Sequence, residues 1–298
     1  MTTYYVGSGG NNSNDGLSWA NRKLTLNGAE DVPVVAGDTV YVGPGTYRET
    51  LTVDVSGSGG SPITYIGDYS GANTDGVGGV VRITGSDNDR TATRNNCIIA
   101  SGKSYRTFRG FLIGHTASTS VDLSNSCTNI TLDKCYMQQG IYNVGYAISM
   151  TGAGQAALTV ANCVFMPPQN YPINISHSVA VDNAGHVIQN CIFLASINGA
   201  AIDINYVGGV AVTNCLVASF IVGIRARNLS GGQSLTVNNC ILVGNTTALT
   251  AGASGMLVED YNSLHANGTA RSNVSTGANS VAYAWLPDTR WFFESVGA

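Results

Sequence analysis

The sequence predicts an all-β fold: a single-stranded right-handed parallel β-helix solenoid, with an N-terminal cap and a C-terminal aromatic tail. Three observations carry that expectation. An Asn-Cys pair recurs as TVANCVF around Cys163, VIQNCIF around Cys191, AVTNCLV around Cys215 and TVNNCIL around Cys240. Apolar residues alternate with polar ones ahead of each pair. Only 11% of the 298 residues are charged and 37 are glycine, whereas charge makes up about a quarter of an average soluble protein. Such a composition suits a folded, turn-rich chain with a neutral polar surface.

In chain order, residues 1–37 are expected to cap the first coil, with Trp19, Leu24, Leu26 and Val32 on a short segment against the core. An open solenoid end templates aggregation, so it needs a cover. Coils then occupy residues 38–265, beginning at DTVYV. Cys135, Cys163, Cys191, Cys215 and Cys240 are spaced by 28, 28, 24 and 25 residues. Phe111 takes the same slot one coil earlier and Tyr261 one coil later. A fixed period of about 20–30 residues marks a solenoid. Period-two alternation makes the residues before each cysteine a strand. Its inward positions are Ile130 and Leu132, Leu158 and Val160, Val210 and Val212, Leu235 and Val237, then Met256 and Val258. VDLS (121–124), AISM (147–150), INIS (173–176), IDIN (202–205) and IRAR (224–227) supply a second strand per coil. A third starts at the cysteine. Residues 266–298 form a tail ending in Trp285, Leu286, Trp291, Phe292 and Phe293.

The Asn-Cys pair has a structural reading. Where one strand bends sharply into the next, a residue must adopt the left-handed conformation, which Asn tolerates better than most residues. Asn162, Asn190, Asn214 and Asn239 would stack there with amides bonding from coil to coil. Gly110 and Asp260 fit the same slot; Lys134 fits it poorly. The cysteines would point inward as small core residues. Seven cysteines are an odd number, and parallel side chains about 4.8 Å apart do not suit disulfides. No CxxC or Cys/His cluster suggests a metal.

These repeats, with the opening YYVGSGGNNSNDGLSWANR and AGDTVYVGPGTYRETLTV, resemble the right-handed parallel β-helix superfamily that includes pectate lyases and phage tailspikes. The resemblance covers about residues 3–265. It implies the fold. It also implies where chemistry would sit, since polysaccharide-cleaving members carry catalytic groups on the outer face of the strand that opens each coil. Here that row is Asp122, Ser149, Asn174, Asp203, Arg225 and Thr250. Asp203 and Arg225 would be neighbours, the candidates for a lyase. Asp122 would lie about 14 Å from Asp203 by coil count, beyond the roughly 5–9.5 Å of a hydrolase carboxylate pair. A surface ion pair is the plain alternative. The loop 7–16, GSGGNNSNDG, has oxygen ligands for a structural calcium ion but lacks spaced acidic residues. The four histidines form no set, and His186 falls at a position that is apolar in most coils.

The residue after each inward cysteine is apolar: Leu112, Tyr136, Val164, Ile192, Leu216 and Ile241. An outward strip of that kind, about 24 Å long, calls for a cover, either the tail or the partner copies of a homotrimer, unless the turn bends differently and these residues belong to the core. The net charge of −4 and the lack of a basic stripe exclude a general nucleic-acid binder. No apolar run is long enough for a membrane span. No secretory leader is visible. Together these features lead to the expectation of a non-enzymatic virion component of a bacteriophage (capsid decoration, fibre or spike subunit). It would be assembled in the host cytoplasm with other virion proteins and able to bind a host surface glycan. The alternative is an extracellular polysaccharide lyase or glycoside hydrolase acting on an acidic polysaccharide.

Overall fold

The structure is a computed structural model that describes residues 1–32, 34–138, 145–167, 171–181, 184–194, 199–229 and 234–283. Among these residues lie three parallel sheets and one short helix, Leu26–Glu30. The first sheet holds ten strands, from Thr3–Val6 to Leu257–Asp260. The second holds ten, from Gly45–Tyr47 to Val281–Tyr283, and the third nine, from Leu51–Thr52 to Thr269–Ser272. Each coil visits the three sheets in turn, so each strand pairs with its equivalents one coil before and after. Backbone hydrogen bonds therefore run along the axis, and the inward apolar residues of successive strands merge into one core.

The corner between the first and second sheets explains the recurring pair. Asn162, Asn190, Asn214 and Asn239 all have φ near +55°. Asn190 donates to Asn162 (3.3 Å), Asn214 to Asn190 (3.2 Å) and Asn239 to Asn214 (2.6 Å). Next to them Cys135, Cys163, Cys191, Cys215 and Cys240 are buried free thiols. Each bonds a carbonyl two residues back, as Cys191 does to Gln189 at 3.1 Å. Phe165 and Phe193 stack two residues further on, with centroids 4.5 Å apart.

The register slips at the last of these corners. Tyr261, not Asp260, takes the left-handed slot (φ +56°), and Asn262 takes the cysteine's place. Leu257 and Glu259 consequently face inward, while Val258 is half exposed. A one-residue shift exchanges the two faces of a strand, so the inward positions expected at Met256 and Val258 are wrong by one. The buried Glu259 carboxylate makes this register tenable: Arg271, Asn262, Ser280 and the Gly277 amide all donate to it.

Strand pairing also crosses both expected boundaries. Thr3–Val6 pairs with Thr39–Val42, so residues 1–37 contribute a strand of the first sheet. Beyond residue 265, Thr269–Ser272 and Val281–Tyr283 continue the third and second sheets. The apolar strip lies in one register row of the second sheet. Tyr136, Ile192 and Ile241 are exposed there, and Leu112, Val164 and Leu216 are half-buried. Trp285, Trp291, Phe292 and Phe293 lie outside the described residues.

Candidate functional site

The third sheet carries the three longest described strands, Tyr146–Gly152, Tyr171–Val181 and Ala200–Val207, followed by Val222–Arg227. Their inward residues (Ile173, Ile175, Ile202, Ile204, Ile224) anchor them to the core. The alternate residues form the predicted row, with Asp122, Ser149, Asn174, Asp203, Arg225 and Thr250 in register. The row is polar yet largely buried: Ser149, Asn174 and Asp203 are 7%, 5% and 2% exposed.

Asp203 and Arg225 come together, and a third group joins them. Arg225 donates from Nε (3.0 Å) and Nη2 (2.7 Å) to the Asp203 carboxylate. Arg227, two residues along the same strand, makes the same pair of contacts at 2.9 and 2.6 Å. One carboxylate thus receives two bidentate guanidiniums, the fork geometry of strong charge-assisted hydrogen bonds. The Asp203 hydrogen bond, opposed by burial, raises the pKa of Arg225 further. The cluster carries one surplus positive charge. Its Arg side chains remain 25% and 41% exposed, whereas that of Asp203 is 3% exposed. The guanidinium carbon of Arg225 also lies 6.0 Å from the ring centre of Tyr171, which packs on Tyr146.

Arg227 and Tyr171 escaped the sequence reading. The signal for Arg227 was present in IRAR, since residues two apart on a strand share a face. Tyr171 had none, because it sits beside the cluster through coil stacking alone. Asp122 is three register steps from Asp203, whose carboxylate accepts four hydrogen bonds.

The other candidate groups lie elsewhere. In the loop 7–16, Arg22 donates to the Ser8 carbonyl and Lys23 to the Asn12 carbonyl. His177 and His186 are buried at the corner between the third and first sheets, with ring centres 5.8 Å apart. His186 Nδ1 accepts from the Leu158 amide at 3.1 Å. Burial, and then the nearby His177, push the pKa of His186 down to about 3. Burial also lowers that of His177.

No protein-family model matches the chain, and no curated protein matches it. Solved structures do. The chain is similar to a rhamnogalacturonan lyase at TM-score 0.64 and 16% identity, covering 95% of this chain and 84% of that one. A pectate lyase gives 0.58 and 15%, covering 97% and 80%. An alginate lyase from Paenibacillus sp. gives 0.55 and 12%, covering 87% and 95%. Likeness at these identities is one of fold: the three parallel sheets of this chain form a parallel β-solenoid, the architecture these solved structures share.

Proposed function

We propose that the chain is a polysaccharide lyase acting on a uronate-containing glycan laid across the outer face of the third sheet. The observation that carries this reading is the cationic Asp203–Arg225–Arg227 cluster on that face. Elimination at a uronate removes the proton on C5 and leaves its electron pair on that carbon. That pair forms the C4=C5 double bond as the C4–O bond breaks, and the leaving oxygen takes up a proton. The carbanion-like transition state needs its carboxylate neutralised, and preorganised donors supply that stabilisation in many enzymes. Arg225 and Arg227 each spend Nε and Nη2 on Asp203, which leaves Nη1 of both for a substrate carboxylate. Asp203 fixes their orientation. The Tyr171 phenol, beside Arg225, is the group proposed to carry the proton.

A hydrolase is less well supported, since Asp203 is saturated by arginines and Asp122 is about 14 Å away by coil count. The solved structures named as lyases of rhamnogalacturonan, pectate and alginate fit this reading better than the virion component expected from the sequence.

The test is incubation with polygalacturonate, rhamnogalacturonan and alginate, following the unsaturated product by its ultraviolet absorbance. Cleavage of one of them is expected, with kcat/KM lowered by about 100-fold or more in Arg227→Ala and Tyr171→Phe. If the protein cleaves none of the three, the lyase reading fails.

A further inference from the structure

A groove of about 440 Å³ opens on the far side of the solenoid, at the corner between the first and second sheets. Its volume is within the roughly 300–1,000 Å³ of small-ligand sites. Apolar residues, among them Val80 and Leu112, line it, and Tyr69 and Tyr136 are 66% and 53% exposed. Lys134 also lines it, and its position is unusual. It occupies the left-handed slot of the asparagine ladder, with φ +52°, a conformation that strains a lysine. It also supplies no amide to the ladder. Asn162, the next rung, donates instead to the Asp133 carboxylate at 2.7 Å. The Lys134 side chain is exposed, and its ammonium makes no ion pair or hydrogen bond among the described residues. A better ladder residue has been forgone, and the groove lined by this cation is also lined by two exposed tyrosines.

We infer that this groove is a second glycan site, separate from the third sheet, which binds one anionic sugar residue. The apolar face of the pyranose would lie against Tyr136 and Tyr69, whose rings combine large contact area with a polar end. Its carboxylate would pair with Lys134. A neutral groove of the same shape would accept any apolar occupant; the unpaired ammonium selects an acidic one. The choice of a sugar rests on the lyase reading, but the site does not share a residue with the arginine cluster. Its role would be to hold the polymer while the third sheet acts on another stretch of it.

The deciding variant is Lys134→Asn, which restores the ladder and deletes the cation. Binding of galacturonate, mannuronate and glucuronate trimers would be followed by calorimetry, with a neutral galactose trimer as control, in wild type, Lys134→Asn, Tyr136→Ala and Arg227→Ala. At least one acidic trimer is expected to bind wild type and the neutral one not. Lys134→Asn should weaken that binding about tenfold or more while raising Tm, and Tyr136→Ala should weaken it with Tm nearly unchanged. Arg227→Ala should leave this component intact. If no acidic trimer binds, or if Lys134→Asn and Tyr136→Ala bind like wild type, the inference is overturned. Loss of all binding in Arg227→Ala alone also overturns it, in favour of a single site on the third sheet. Groove binding without polymer cleavage would instead retain this site and remove the lyase.

Discussion

The Asp203 carboxylate is the residue on which the proposed site turns, because it is buried while its two partners are partly open to water. Removing it leaves two guanidiniums facing each other. Asp203→Ala is expected to cost about 2–3 kcal/mol, below the roughly 3–5 kcal/mol of a fully buried pair because water screens the arginines. Arg227→Ala leaves Asp203 bonded to Arg225 and should cost less than about 1 kcal/mol. Chemical denaturation of the two variants checks the order; equal losses would mean that the cluster does not share one carboxylate. The neutral His186 supports a pH prediction. Its pKa is depressed from 6.5 to about 3 in the folded chain. The unfolded chain therefore binds the extra proton, and stability is full above about pH 6.5 and falls as the pH drops toward 3. The full shift corresponds to up to about 5 kcal/mol. Carboxylates such as Glu259, whose pKa is lowered by hydrogen bonds that outweigh burial, act only below about pH 4.5. Melting between about pH 7 and 5 thus isolates the histidines. Wild type should lose Tm over that range and His186→Gln should lose less; parallel curves would assign the loss elsewhere.

At the scale of the element, the corner between the first and second sheets was the most legible part of the chain. Asn and Cys recur there because every coil meets the same two demands, a positive φ and a small inward side chain. The same logic failed at Tyr261, where one residue of slip costs nothing in pattern but turns Glu259 inward. Only its four partners, drawn from residues 262–280, make that register acceptable, and no periodicity announces them. The ladder itself can be divided into conformation and hydrogen bonding. Asn214→Ala loses the amide bonds to Asn190 and Asn239 and places alanine at φ +55°; about 2 kcal/mol of destabilisation is expected. Asn214→Gly removes the bonds but accepts the conformation, and should lose about half as much. If both variants lose the same amount, backbone conformation contributes nothing at this corner. The cysteine column makes a further expectation. Its five thiols, like Cys97 and Cys127, are buried, so none should react with a thiol reagent until the chain unfolds. Rapid labelling of the native protein would show that the column opens.

The whole molecule behaves, on this architecture, as a line of coils in which each contacts only its neighbours, and stability is then local before it is global. Such a chain shows its repeats in the sequence and hides its unique contacts. One of these is Glu30 at the end of the helix Leu26–Glu30, 76 residues from Arg106, with both side chains almost wholly buried. Arg106 donates to it at 2.8 and 2.9 Å, and the Tyr65 hydroxyl at 2.6 Å. The pair joins the helix to two successive strands of the first sheet, so it ties the N-terminal segment to the coils. Cutting it with Glu30→Ala strands a buried guanidinium, at about 3–5 kcal/mol. In a line of coils that loss should stay near its origin. Hydrogen exchange of Glu30→Ala should therefore accelerate in the strands Thr39–Val42, Ile63–Gly67 and Ser104–Arg109, and stay close to wild type in Leu235–Asn238 and Ile241–Val243. Uniform acceleration in every strand would mean that the coils unfold as a single unit. The consequence would reach the proposed chemistry, because only a local response lets the arginine cluster on the central coils stay rigid while the ends of the solenoid breathe.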